Sequence, residues 1–266
     1  MNSLHQALRG AVHRPRQPVQ PLHTLLVAGA GGTLGSAVLA EALVAGRFAR
    51  VLALVAEPVA STVRGFEPLL LPDLHRAAAL PAQAAVIVFE RRRHSNGRDD
   101  AFVQPDPSDL LPLARTLHQR GIQRLLVVVP HAPALLPQAL SHGLASLDEA
   151  AVAALGFEHL TFLRAAQALP GQAGGARLES FAAWWLSQLG WMVPQRQQPV
   201  PAVVLARCVV QLARLLPTTP PGTRVVAPET LWSWSQHEGG LAEGMAAGLA
   251  PGDTESASGK AARASQ

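Results

Sequence analysis

The chain has 266 residues, 48% hydrophobic and only 15% charged, with a formal net charge of +4, a balance that excludes a disordered chain and suits one folded core, or at most two. It contains no tyrosine, so no mechanism that needs a phenol can run on its own residues. Its one cysteine, Cys208, excludes an intrachain disulfide, and its one lysine, Lys260, lies in an Ala/Ser/Gly-rich end and is the sole candidate for a Schiff base.

Residues 1–20 are polar, basic and proline-containing, and are expected to form a flexible arm. No apolar h-region marks a secretory signal, and with a single cysteine the expected compartment is the cytoplasm. A strand is predicted over 23–28, then a glycine-rich loop and a helix over 33–45. Further strands are predicted over 51–55, 68–71, 84–89, 124–129 and 159–163, and further helices over 108–120, 146–155, 177–189 and 203–216. Several of these strands are apolar throughout and do not alternate, as strands covered on both faces do. Strand–helix–strand order at this spacing implies right-handed crossovers. The expected fold class is α/β, a Rossmann-like doubly wound parallel sheet with a small C-terminal cap, occupying residues 21–235. Residues 236–266 are small and low in complexity, and read as a disordered tail with at most one weak helix. The longest apolar stretch, 25–46, is interrupted by glycines and by Glu41, so no membrane span is expected.

The most informative segment is LLVAGAGGTLGSAVLAEAL, which sets glycines between the first strand and the first helix. A chain turning sharply off a strand end needs Gly29. A pyrophosphate approaching a helix N-terminus needs bare backbone, which Gly31 and Gly32 provide. Close packing of that helix on the strand needs Gly35. Thr33 adds a hydroxyl at the helix start. The candidate dinucleotide contacts in the loop are therefore Gly29, Gly31, Gly32, Thr33, Leu34 and Gly35; an ordinary glycine-containing turn is the plainer alternative.

The spacing is G-x-x-G-x-x-G, and GAGGTLG resembles the loop of the atypical short-chain dehydrogenase/reductase superfamily. AFVQPDPSDLLPLARTLHQRGIQRLLVVV resembles the fourth-helix and fifth-strand region of its Tat-interacting-protein oxidoreductase-like, NAD(P)H-binding group. DEAAVAALGFEHLTFLRAA resembles the helix and strand that follow, and QQPVPAVVLARCVVQLARLL the C-terminal helix. These segments span most of residues 22–216 in order. The resemblance implies an NAD(P)-binding domain with NAD or NADP as cofactor.

The departures matter as much. In that superfamily a Tyr-x-x-x-Lys pair carries the acid/base work; alignment sets Ser141 and Ala145 at those positions. After the fifth strand, where the resemblance implies a serine or threonine, stand Pro130 and His131. His131 is the best candidate for any residual acid/base role. Arg164 matches an Arg-Pro turn whose proline is here Ala165. After the second strand, Glu57 stands where an acidic residue would bond a ribose 2′-hydroxyl, which favours NAD over NADP; a solvated loop glutamate is the equal alternative. After the fourth strand, a small glycine-containing segment is replaced by FERRRHSNGR. Arg91 and Arg92, with Arg93, are candidates to grip a phosphate, or form a solvated basic loop.

Trp184, Trp185 and Trp191 crowd one predicted helix and its exit, as a core helix or as a surface for a homodimer or protein partner. Trp232 and Trp234 flank Ser233, and alternation would set both on one face of a docking strand. The arginines lack aromatic interleaving and a reading motif, so neither nucleic acid nor membrane is an expected partner, and the scattered histidines form no metal pattern. Three functions remain: a catalytically degenerate NAD(P)-binding protein acting as nucleotide sensor or scaffold, a divergent oxidoreductase or isomerase using His131, and a protein–protein module with a vestigial loop.

Overall fold

The computed structural model describes residues 23–46, 48–90, 99–131, 146–166, 200–236 and 241–249. The apolar runs pair into one seven-stranded sheet. β1 (Thr24–Ala28) leads into α1 (Thr33–Val44), then β2 (Arg50–Val55), β3 (Phe66–Leu70) and a short α2 (Leu71–Arg76). β4 (Ala84–Val88), α3 (Leu110–Gln119), β5 (Arg124–His131), α4 (Leu147–Ala153) and β6 (His159–Ala166) follow. The chain continues with α5 (Ala202–Leu215), β7 (Gly222–Val226), α6 (Pro228–Ser235) and α7 (Leu241–Leu249). The strand order is β3-β2-β1-β4-β5-β6-β7, with every pairing parallel. The order runs outward from β1 to β3, then restarts on the other side of β1 with β4. The C-terminal ends of β1 and β4 thus flank the topological switch point, where doubly wound sheets hold ligands.

The uninterrupted apolar strands are explained by two cores. Leu25 and Val27 of β1 share one with Leu34 and Val38 of α1 and Leu205 and Val209 of α5. Leu26 and Ala28, pointing the other way, share the second with Leu113 and Leu117 of α3. Residues alternate across a strand, so a sheet covered on both faces needs apolar side chains at every position.

β7 escapes the strand prediction because it is a short edge strand, mostly exposed at Gly222 and Thr223, and lacks a buried run. Trp232 and Trp234 correct another expectation: they lie on helix α6, where Pro228 and Glu229 suit a first turn and no strand forms. Trp234 is buried, and its indole lies against Gly248 of α7, where an added Cβ would stand 2.8 Å from Nε1. Among the described residues of the predicted tail, 241–249 form helix α7, and its Met245 is buried in the first core. The predicted helix over 177–189 lies outside the described residues. Among the described residues, no helix is long and apolar enough to cross a membrane, and no group of three His, Cys, Asp or Glu could hold a metal ion.

At the N-terminal edge of β6, His159 is buried, with Nε2 3.6 Å from Oε1 of Glu158. Burial holds its imidazole below the ordinary 6.5; Glu158 opposes this, and Arg224 and Arg124 reinforce it. The folded protein therefore favours neutral His159, and the unfolded chain binds the extra proton more readily. The resulting stability is complete above pH 6.5 and is lost as the pH falls below it toward the lower folded value. Melting temperature is expected to fall on acidification below that pH, and His159→Gln to show a shallower fall. Equal slopes for the two proteins would remove His159 as the cause.

Candidate nucleotide site

β1 ends at Ala28, and the chain turns at Gly29 with φ +90°, a conformation that only glycine adopts freely. An added Cβ at Gly29 would stand 2.2 Å from the carbonyl oxygen of Val88, the last residue of β4. At Gly35, in the first turn of α1, an added Cβ would stand 1.7 Å from the carbonyl oxygen of Gly29. The backbone of the loop and the backbone of the helix thus touch at van der Waals limits, as a tight turn with close helix–strand packing requires. Gly31 is buried, and Gly32 is the N-cap of α1, in extended conformation and without a capping side chain. Thr33 is the first helical residue and is exposed, one position later than a capping hydroxyl needs.

A residue that sequence reasoning passes over completes the site. Glu90, two residues past the end of β4, reaches across the switch point, and its Oε2 accepts a hydrogen bond from the amide of Leu34 at 2.9 Å. The same oxygen would lie 2.2 Å from a Cβ on Gly32, with Cδ at 2.9 Å. The signal in the sequence is an acidic residue just past the fourth strand, directly ahead of three arginines.

A second strip of chain crosses the neighbouring strand ends. The amide of Gly29 donates to the carbonyl of Val103 at 3.1 Å, and the amide of Val103 donates to the carbonyl of Leu54 at 3.1 Å. Ala56 donates to the carbonyl of Ala101 at 2.8 Å, and Val55 and Phe102 form an antiparallel bridge. Residues 101–103 therefore lie across the C-terminal ends of β1 and β2. Glu57 is exposed at this edge, and its amide also donates to Ala101, at 3.4 Å.

The geometry brings together Gly29, Gly31, Gly32, Thr33, Leu34 and Gly35, with Glu57 at the neighbouring strand end. Arg91 and Arg92 lie outside the described residues, as do Arg93, Ser141, Ala145, Trp184, Trp185 and Trp191. His131 closes β5 in register with Ala166; its side chain lies outside what is described. Arg164, expected at an Arg-Pro-like turn, points into the fold. It is 2% exposed, and its Nη2 lies 2.8 Å from Oε2 of Glu149 on α4, itself buried. β6 runs through Ala165 to Ala166. A small apolar hollow lined by Ala165, Val200, Leu205, Pro228 and Leu231 lies beyond it.

The glycines fit the backbone path of a dinucleotide loop. The place of the phosphates does not fit while Glu90 holds the second helical amide and fills the clearance over Gly32. No chemical step through a nicotinamide follows from this arrangement.

Strand order, connections and glycine loop define a doubly wound, Rossmann-like α/β protein with its loop at the switch point. Neither a protein-family model nor a curated protein matches the chain. Among solved structures, it is similar to UDP-N-acetylglucosamine 4-epimerase from Bacillus cereus, at 18% identity and TM-score 0.43, over 77% of this chain and 78% of that one. It is similar to the Bordetella bronchiseptica enzyme WbmG, solved with NAD, at 16% identity and TM-score 0.43, over 89% of this chain and 84% of that one. A human epimerase family protein solved with NADPH is similar at 15% identity and TM-score 0.44, over 79% of this chain and 78% of that one.

Proposed function

We propose that the protein is an NAD(P)-binding protein of the atypical short-chain dehydrogenase type that has lost catalysis and acts as a nucleotide sensor or scaffold in the cytoplasm. The observation that carries this reading is a pairing of opposites. Gly29 and Gly35 keep clearances that only glycine satisfies, while the whole chain holds no tyrosine to act on a substrate oxygen. A glycine loop under such steric demand is what a phosphate-cradling turn requires. Glu57 at the end of β2 favours NAD, since a carboxylate there bonds a ribose 2′-hydroxyl and repels a 2′-phosphate.

Calorimetric titration with NAD and NADP, paired with turnover assays on carbonyl substrates, tests this reading. Binding with NAD preferred and no turnover is expected; turnover would contradict the loss of catalysis. The Glu90 contact favours a second reading, a scaffold with a vestigial loop, for which neither dinucleotide binds under any condition.

A further inference from the structure

We propose that Glu90 is the protein's own occupant of the anion position at the glycine loop, so that a phosphate group reaches the loop only as Glu90 leaves it. A helix N-terminus carries partial positive charge and unpaired amides, and needs an acceptor. Helix α1 supplies none locally: its N-cap is Gly32 without a side-chain bond, and its first turn holds no acidic residue. The acceptor comes instead from 56 residues away, as Oε2 of Glu90 on the amide of Leu34.

Two requirements of a bound phosphate are met there by one carboxylate. The first is a free amide at the helix start, which Leu34 gives to Glu90. The second is open space over a residue without a side chain, which is the space over Gly32 that Glu90 fills. Carboxylate and phosphate are both anionic acceptors, so the helix end cannot hold both at one amide, and each repels the other. At the start of the same loop, the amide of Gly29 is engaged by the carbonyl of Val103. The contact is therefore autoinhibitory toward phosphate-bearing ligands.

This inference rests on the nucleotide-site reading for its biological meaning, and the test separates the two. Wild type, Glu90→Ala and Glu90→Gln are titrated by thermal shift with inorganic pyrophosphate and, separately, with NAD. Glu90→Gln keeps a side chain of the same length and an acceptor, so charge is removed with little change in packing. Pyrophosphate affinity is expected to rise about tenfold or more in Glu90→Ala, with Glu90→Gln between it and wild type. Equal pyrophosphate affinity in wild type and Glu90→Ala, or none in either, would overturn the proposal. Tightened pyrophosphate binding without any NAD binding would support the role of Glu90 while removing the dinucleotide reading.

Discussion

Replacing Arg164 with alanine is expected to lower the unfolding free energy by about 3–5 kcal/mol, as breaking one half of a buried ion pair does. Arg164 and Glu149 are both nearly inaccessible to water, and the guanidinium meets both carboxylate oxygens, Nη1 to Oε1 at 3.3 Å and Nη2 to Oε2 at 2.8 Å. Ser146 caps α4 by accepting from the amide of Glu149, so the carboxylate is carried into the fold on a fixed first turn. Truncating Arg164 takes the guanidinium away from a carboxylate held in a low-dielectric interior. The desolvation cost of a pair is shared, so replacing both partners with apolar residues, Arg164→Met with Glu149→Leu, is expected to restore most of the loss. Urea denaturation of the two single variants and the double variant decides it. A loss below about 1 kcal/mol for Arg164→Ala would mean that the pair contributes no more than an exposed one does.

Gly35→Ala is expected to cost at least about 3 kcal/mol or to prevent folding, because a methyl group there meets backbone that cannot step aside. The nearest atom, the carbonyl oxygen of Gly29, lies in a turn held by its positive φ and by the end of β4. Gly32→Ala should cost less than about 1 kcal/mol, since the atom in its way is the far end of the flexible Glu90 side chain. The contrast is the useful measurement: equal losses at the two positions would contradict the close helix–strand approach described here.

The sheet was legible because burial on both faces writes uninterrupted apolar runs such as LLVA and AVIV, whose order implies the crossovers. The loop was legible because a turn and a close approach each restrict a position to glycine. β7 was not, since an edge strand with exposed residues lacks that run, and the i, i+2 spacing of Trp232 and Trp234 occurs in strands and helices alike, so it does not tell one from the other. Glu90 and the Arg164–Glu149 pair share another cause. Each depends on groups distant in the chain meeting across an element, 56 residues apart for the Glu90 carboxylate and the Leu34 amide and 15 for Arg164 and Glu149, and no local pattern marks such a meeting. The strip of residues 101–103 across β1 and β2 was hidden for the same reason.

The most direct measurement is of what each protein carries when purified. Wild type and Glu90→Ala are desalted without added nucleotide, denatured, and the released small molecules measured by mass spectrometry and ultraviolet absorbance. The expected result is far less than one nicotinamide dinucleotide per chain from wild type and a clear gain from Glu90→Ala. A full equivalent of dinucleotide released by wild type would contradict a glycine loop held by the protein's own carboxylate.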